Sequence, residues 1–210
     1  MMMTPEQTQL IIKVESIVQA RLEHQGAGHG FDHVQRVLRS ARLIQSSVGG
    51  DLFVIELASL LHDVGDAKFH EGVERSAEFS NQILEQLQIE PDCIAHVAKI
   101  VDNISFRKRD QAENLTLEGK IVQDADRLDA LGAIGIVRTI EFGAAFDQPF
   151  YLPGVTDQKT GVDHFHDKLF KLRGLMNTTA GRDLAEGREH FMRTFLQQYL
   201  TECDATEKEL

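Results

Sequence analysis

The chain has no tryptophan, two tyrosines, four prolines and two cysteines in 210 residues. Cys93 and Cys203 lie far apart and form neither a CxxC pair nor a disulfide framework, so the expectation is two free thiols in a reducing compartment. No apolar run approaches the length needed to cross a bilayer, and "MMMTPEQTQL" lacks the basic and apolar regions of a signal peptide; a soluble cytoplasmic protein is expected. Positive charge is also scarce. Lys and Arg number 22 against 33 Asp and Glu, a net charge of -11, which argues against a duplex nucleic acid or an anionic membrane as partner. A small anionic substrate stays compatible, because one pocket on an acidic protein can be positive. Sustained apolar-polar alternation is absent as well, which removes the main strand signal. There is no Gly-rich phosphate loop, internal repeat or low-complexity linker.

What is present is helical. The 42% hydrophobic content is enough for a core, and 210 residues suit one large domain. Thr4, Pro5 and Gln7 form a capping box ahead of Leu10, Ile11, Val14, Ile17 and Val18 at helical spacing. "GAGHG" interrupts, and a second helix begins near Phe31 with Val34, Val37, Leu38 and Ala41. Asp51 caps a third, "LFVIELASLLHD". Further helices are expected over 72–87, 91–101 and 118–140, with a long one from "TTAG" onward. Residues 147–161 hold two prolines and read as a loop, and residues 204–210 as a frayed tail. The expected fold is all-α, one domain over 1–210. Its core covers about 20–145 and a C-terminal helical extension about 160–203.

The polar residues inside this apolar pattern carry the chemistry. His62 and Asp63 adjoin at the end of an aliphatic run, with Asp66 and Lys68 just beyond. Buried carboxylates need a charge partner or a metal, and imidazole plus carboxylate suits a divalent cation. Further ligands would come from "HGFDHVQRV", which holds His29 and His33, and from "VQDADRLDALGAIG", which holds Asp124, Asp126 and Asp129. Asp124 and Asp129 read as surface or supporting carboxylates rather than ligands. His96 has no obvious partner.

The phrases "HGFDHVQRV", "ELASLLHDVGDAKF" and "DADRLDALGAIGIVRTIEFG", in that order over about residues 20–145, resemble the HD-domain metal-dependent phosphohydrolase superfamily. They are most similar to its compact bacterial YedJ/YpgQ-type branch. The resemblance implies four metal ligands, His33, His62, Asp63 and Asp126, and a general acid-base role for Asp66. It implies hydrolysis of phosphate esters or anhydrides in a small phosphorylated metabolite, with a nucleotide the favoured substrate. The alternative is a non-catalytic nucleotide-sensing HD domain. One divalent ion is expected, because the extra histidines of multi-metal relatives are missing between the doublet and Asp126. Mn2+ is favoured and Mg2+ second, while Fe2+, Co2+, Ni2+ and Zn2+ also suit such ligands. Lys68, Arg127 and His29 are candidates for substrate phosphate, as are His164 and Lys168, four apart in the basic stretch after residue 160. Arg36 and Arg75 are weaker candidates.

Overall fold

The computed structural model describes residues 3–23, 30–67, 70–104, 114–154 and 157–204. All regular structure among these residues is helical, with no strand. The helices are α1 (Pro5–Leu22), α2 (Phe31–Val48), α3 (Leu52–Leu61), α4 (Ser76–Gln86), α5 (Pro91–Asn103), α6 (Leu117–Asp129), α7 (Gly132–Ala145), α8 (Gly161–Asp167) and α9 (Thr179–Asp204), with a 3-10 segment over Leu169–Leu175. The chain divides into two compact units, Met1–Asp126 and Arg127–Leu210. The break falls near the end of α6, upstream of the 147–161 loop.

In the first unit α3 is the central element. Every residue from Phe53 to Leu61 is buried, as expected of a helix apolar on all sides, and α1, α2 and α5 pack around it. Asp51 caps it by accepting from the amides of Phe53 and Val54. The one charged residue inside it, Glu56, is 1% exposed and takes a bidentate pair of bonds from Arg42 at 2.6 and 2.7 Å. The expected capping box at Thr4 forms, with Thr4 and Gln7 bonding reciprocally. On α6 the apolar face is inward as the pattern predicts, with Ile121, Val122, Ala125 and Leu128 buried.

Two expectations need correction. The helix read over 118–140 is two helices. Gly132 has φ +74, a left-handed conformation that glycine tolerates, and stands at the break between α6 and α7. A Cβ on Gly135 would lie 2.2 Å from the Ala130 carbonyl oxygen, so glycine is what lets α7 begin against that turn. The helix read over 72–87 begins only at Ser76. Glu71 and Gly72 have positive φ, and the Glu74 carboxylate accepts from the amides of Ala67 and Ser76.

In the second unit α7 packs on α9 and α8, and the 3-10 segment packs on α8 and α9. The basic stretch after residue 160, at the start of the expected helical extension, is short and broken. α8 opens with a Thr160–Asp163 capping box and ends after seven residues, at Lys168. Phe165 fills the space behind it at zero exposure, with the Phe150 ring edge-on at 5.8 Å.

Candidate metal centre

α3 ends at Leu61, so the His-Asp doublet stands just past a helix rather than inside one. His62 keeps helical dihedrals, and a tight turn follows over residues 62–65. Within it Val64 donates to the Leu61 carbonyl and Asp66 to that of Asp63, each at 3.2 Å. The turn is clamped from α4: Arg75 donates to the Gly65 carbonyl at 2.9 Å, and Gly65 donates to the Ser76 hydroxyl at 3.1 Å. This approach requires glycine, because a Cβ at position 65 would lie 2.6 Å from the Arg75 carbonyl carbon.

His33 comes from the first turn of α2, whose N-cap is Gly30. Its side chain is 1% exposed, and its Nε2 lies 3.1 Å from Nε2 of His62. His33 Nε2 is also 3.4 Å from Asp63 Oδ2 and 3.6 Å from Asp126 Oδ1. His62 Nε2 is 3.6 Å from Asp63 Oδ2 and 3.9 Å from Asp126 Oδ1. His33, His62 and Asp63 form the one group of metal-ligating side chains, among the described residues, whose donor atoms all lie within 4.8 Å of one another. Asp126, from α6, adds a carboxylate at the open edge, with its side chain 37% exposed.

The donor chemistry fits a divalent cation. His62 Nδ1 sits 2.8 Å from the Ser59 carbonyl oxygen, so Nδ1 carries the proton and Nε2 presents its lone pair inward. Two carboxylate oxygens and the second imidazole face the same point. A cation about 2.1 Å from each donor sets neighbouring donors about 3.0 Å apart at right angles and about 3.4 Å apart at the tetrahedral angle. The observed separations of 3.1–3.9 Å fall in and just above that range. The carboxylate on the rim leaves one side open, as a catalytic rather than a structural site requires.

The remaining candidates are distributed as follows. Asp66 is half-buried at the end of the turn, three residues beyond Asp63. Lys68 and His29 lie outside the described residues. Arg127 donates from Nη1 to the Leu175 carbonyl. His164 is half-buried on α8, and burial first, then the Lys168 charge, hold its pKa below the ordinary histidine value. Lys168 ends α8, its amide bonded to the His164 carbonyl at 3.1 Å. Asp129 is not a surface carboxylate: it is 2% exposed and takes a 2.6 Å bond from Arg138. Asp124 is fully buried. His96 does have partners, the Thr116 hydroxyl at 3.0 Å and Glu118 at 3.7 Å. Arg36 is paired with Asp32 at 2.5 Å. For Asp32, burial alone would raise the carboxyl pKa, but the Arg36 bond and charge and the His33 amide outweigh it and lower it.

One feature of this unit has no local sequence signature. The Arg21 and Arg75 guanidinium groups lie 4.7 and 4.6 Å from the Phe79 ring centroid, and the His70 ring meets it edge-on at 5.2 Å. Arg75 is bound to Glu78 through two bonds. The cluster joins α1, the turn after the doublet and α4, which no spacing rule links.

Comparison with known proteins identifies the family. The HD domain family matches residues 30–131, which span all four donor residues. The uncharacterized protein YpgQ of Bacillus subtilis is 37% identical over 188 residues, covering 89% of this chain and 90% of its own. A crystal structure of an HD-superfamily hydrolase from Bacillus thuringiensis superposes with a TM-score of 0.81 at 38% identity, over 95% of this chain and all of the other. The crystal structure of Bacillus subtilis YpgQ in complex with ADP superposes with a TM-score of 0.81. It covers 98% of this chain and all of that one, with 32% identity over the superposed residues.

Proposed function

The chain belongs to the HD superfamily and is a metal-dependent phosphohydrolase, and from that premise we propose that it cleaves a phosphate ester or anhydride bond of a nucleotide. The observation that carries the proposal is the cluster of His33, His62 and Asp63 donor atoms, with the Asp126 carboxylate within 4 Å of both imidazoles at its open edge. The nucleotide class is supported by the ADP complex of YpgQ, a relative this similar over nearly its whole length.

In this reading the four side chains hold one divalent ion, Mn2+ in preference to Mg2+. A divalent ion there supplies Lewis acidity toward a phosphoryl oxygen and makes a nearby water more acidic. His33 and His62 act as neutral ligands, and the Ser59 carbonyl keeps the His62 tautomer in place. Asp63 and Asp126 together cancel the formal charge of a divalent ion. Positive charge for a polyphosphate therefore has to come from other side chains, and Lys68, Arg127, His29, His164 and Lys168 are the proposed sources. Asp66, held one turn beyond the doublet, moves the proton: it takes one from the attacking water and returns one to the leaving oxygen.

The test is to strip the protein of metal, reload it with Mn2+ or Mg2+, and follow phosphate and pyrophosphate release over a panel of nucleotides and sugar phosphates. Asp63→Ala and Asp126→Ala should lose both metal and turnover. Asp66→Asn should keep the metal and lose turnover by about 10²-fold or more, the usual size of a general acid-base contribution. Metal uptake and nucleotide binding without turnover of any member would point instead to a nucleotide-sensing domain. Failure to take up metal would remove the ligand assignment and the reaction with it.

A further inference from the structure

The last turn of α6 is tied down at three consecutive positions directly after Asp126. Arg127 donates from Nη1 to the Leu175 carbonyl in the 3-10 segment. The Leu128 carbonyl accepts from Arg188 Nη1 on α9. The Asp129 carboxylate accepts from Arg138 Nη1 on α7 at 2.6 Å. α6 is one unbroken helix from Leu117 to Asp129, so Asp126 shares the turn that these bonds hold. Asp126 is also the candidate ligand least fixed by its own surroundings. Its side chain is 37% exposed against 17% for Asp63, and it stands 3.6 and 3.9 Å from the two imidazoles. It lies at the end of a helix, where backbone carbonyls run out of partners and the turn frays first.

Of the three ties, Arg188 is the one that stability explains least. Arg138 neutralises a buried carboxylate. Arg188 is half-buried, and burial pushes its pKa below the ordinary arginine value against the pull of the Asp129 charge. Among the described residues its bond is to the neutral Leu128 carbonyl, and no carboxylate bonds to it. Desolvating a cation for one neutral acceptor adds little to folding. The seat is nevertheless shaped for it. A Cβ on Gly132 would lie 3.2, 3.3 and 3.5 Å from Arg188 Cγ, Cβ and Cδ, so the bare backbone at the α6–α7 break is what receives the arginine stem. The oxygen it reaches also takes the Leu131 amide at 3.0 Å, the bond that closes the end of α6. Charge points the same way. Asp124, Asp126 and Asp129 crowd the carbonyl end of α6, where the helix dipole already gathers negative charge and a cation is favourable.

We propose that Arg188 is a positioning residue for Asp126: by holding the Leu128 carbonyl it keeps the last turn of α6 wound and the Asp126 carboxylate aimed at the two imidazoles. The inference rests on the reading of Asp126 as a metal ligand. The experiment uses the full chain and two readouts, amide hydrogen exchange on the metal-free protein and Mn2+ binding by calorimetry. Arg188→Met keeps the stem over Gly132 and removes the bond. It should speed exchange over residues 127–131 by about tenfold or more, the usual weight of a hydrogen bond from a charged donor. Mn2+ affinity should fall by about 10–100-fold, as for other outer partners of metal ligands. Arg188→Lys, which still brings a charged donor to the Leu128 carbonyl, should recover most of both losses. Arg193→Met is the control for general damage to α9. Arg193 bonds to Glu189 at 2.8 Å and lies 4.0 Å from the Phe170 ring centroid, so its loss should lower the melting temperature and leave Mn2+ affinity as in the wild type. Wild-type exchange and affinity in Arg188→Met would overturn the proposal. So would a lysine variant no better than the methionine one, or an equal loss of Mn2+ affinity in Arg193→Met. A wild type that takes up no Mn2+ would overturn the ligand assignment and this inference together, whereas a metal-binding wild type matched by Arg188→Met would overturn this inference alone.

Discussion

Replacing Gly65 by alanine adds one methyl group at the position that fastens the doublet turn to α4. That methyl would lie 2.6, 2.7 and 2.8 Å from the Arg75 carbonyl carbon, the Ser76 nitrogen and the Arg75 oxygen. All three are backbone atoms, so no side chain can swing aside. The bonds from Arg75 to the Gly65 carbonyl and from Gly65 to Ser76 must lengthen together. Forcing a methyl group into a packed contact of this kind costs about 1–3 kcal/mol. In a chain of this length that lowers the melting temperature by about 2–12 °C. The displaced turn carries Asp63 two residues earlier and Asp66 one residue later. Support lost around metal ligands usually costs about 10–100-fold in metal affinity, so Mn2+ binding by calorimetry should weaken by about tenfold or more. Gly187→Ala is the matched control. Gly187 lies within α9, with nothing within 4 Å of an added Cβ. The same chemical change there should raise stability by up to about 1 kcal/mol through helix propensity. If Gly65→Ala melts and binds Mn2+ like the wild type, the clamp between the doublet turn and α4 does not position the ligands and the reasoning fails.

Arg42→Met leaves the Glu56 carboxylate buried in α3 without its two bonds and should cost about 3–5 kcal/mol, read by urea unfolding at neutral pH. The double change Arg42→Met/Glu56→Leu removes both charges and should recover most of that loss; a double variant as unstable as the single one would show the pair to be more than a neutralised burial. His164 titrates below the ordinary histidine value because it is buried and lies near Lys168. Its folded pKa is depressed, so its contribution is complete above about pH 6.5 and lost as pH falls through the folded value. The melting temperature should therefore drop below pH 6.5 in the wild type and drop less in His164→Gln. Equal slopes for the two proteins between pH 7 and pH 5 would contradict the assignment.

Much of the architecture was legible in the sequence because it depends on local chemistry. The Thr4 box, the Asp51 cap and the proline at the start of α5 need only near neighbours, and each stands where the residues place it. The α6–α7 break was present in "ALGAIG", but a glycine permits a positive φ without requiring one. Only the close approach of Ala130 to Gly135 made the turn obligatory. The Thr160–Asp163 box has the T-x-x-D spacing of a helix start, but it opens a segment whose composition is dominated by basic residues. His96 shows no partner in its own stretch of sequence, because Thr116 and Glu118 are some twenty residues away and meet it only through packing.

The sequence by itself determined the helical class and which residues have the chemistry to hold a metal, since backbone hydrogen bonding, side-chain period and donor type are properties of short stretches. Only the tertiary structure decided which of them meet. Residues 33, 62, 63 and 126 come from the start of one helix, the end of a second and the last turn of a third. The two histidine Nε2 atoms stand 3.1 Å apart, and each lies 3.4–3.9 Å from a carboxylate oxygen of Asp63 and of Asp126, because α3 is buried on every side and the doublet turn is pinned by Gly65. Asp129 and Asp126 share one helix and one residue type. One is tied to Arg138 and the other faces the two imidazoles, and that difference of surroundings, which no spacing rule contains, separates a structural carboxylate from a candidate ligand.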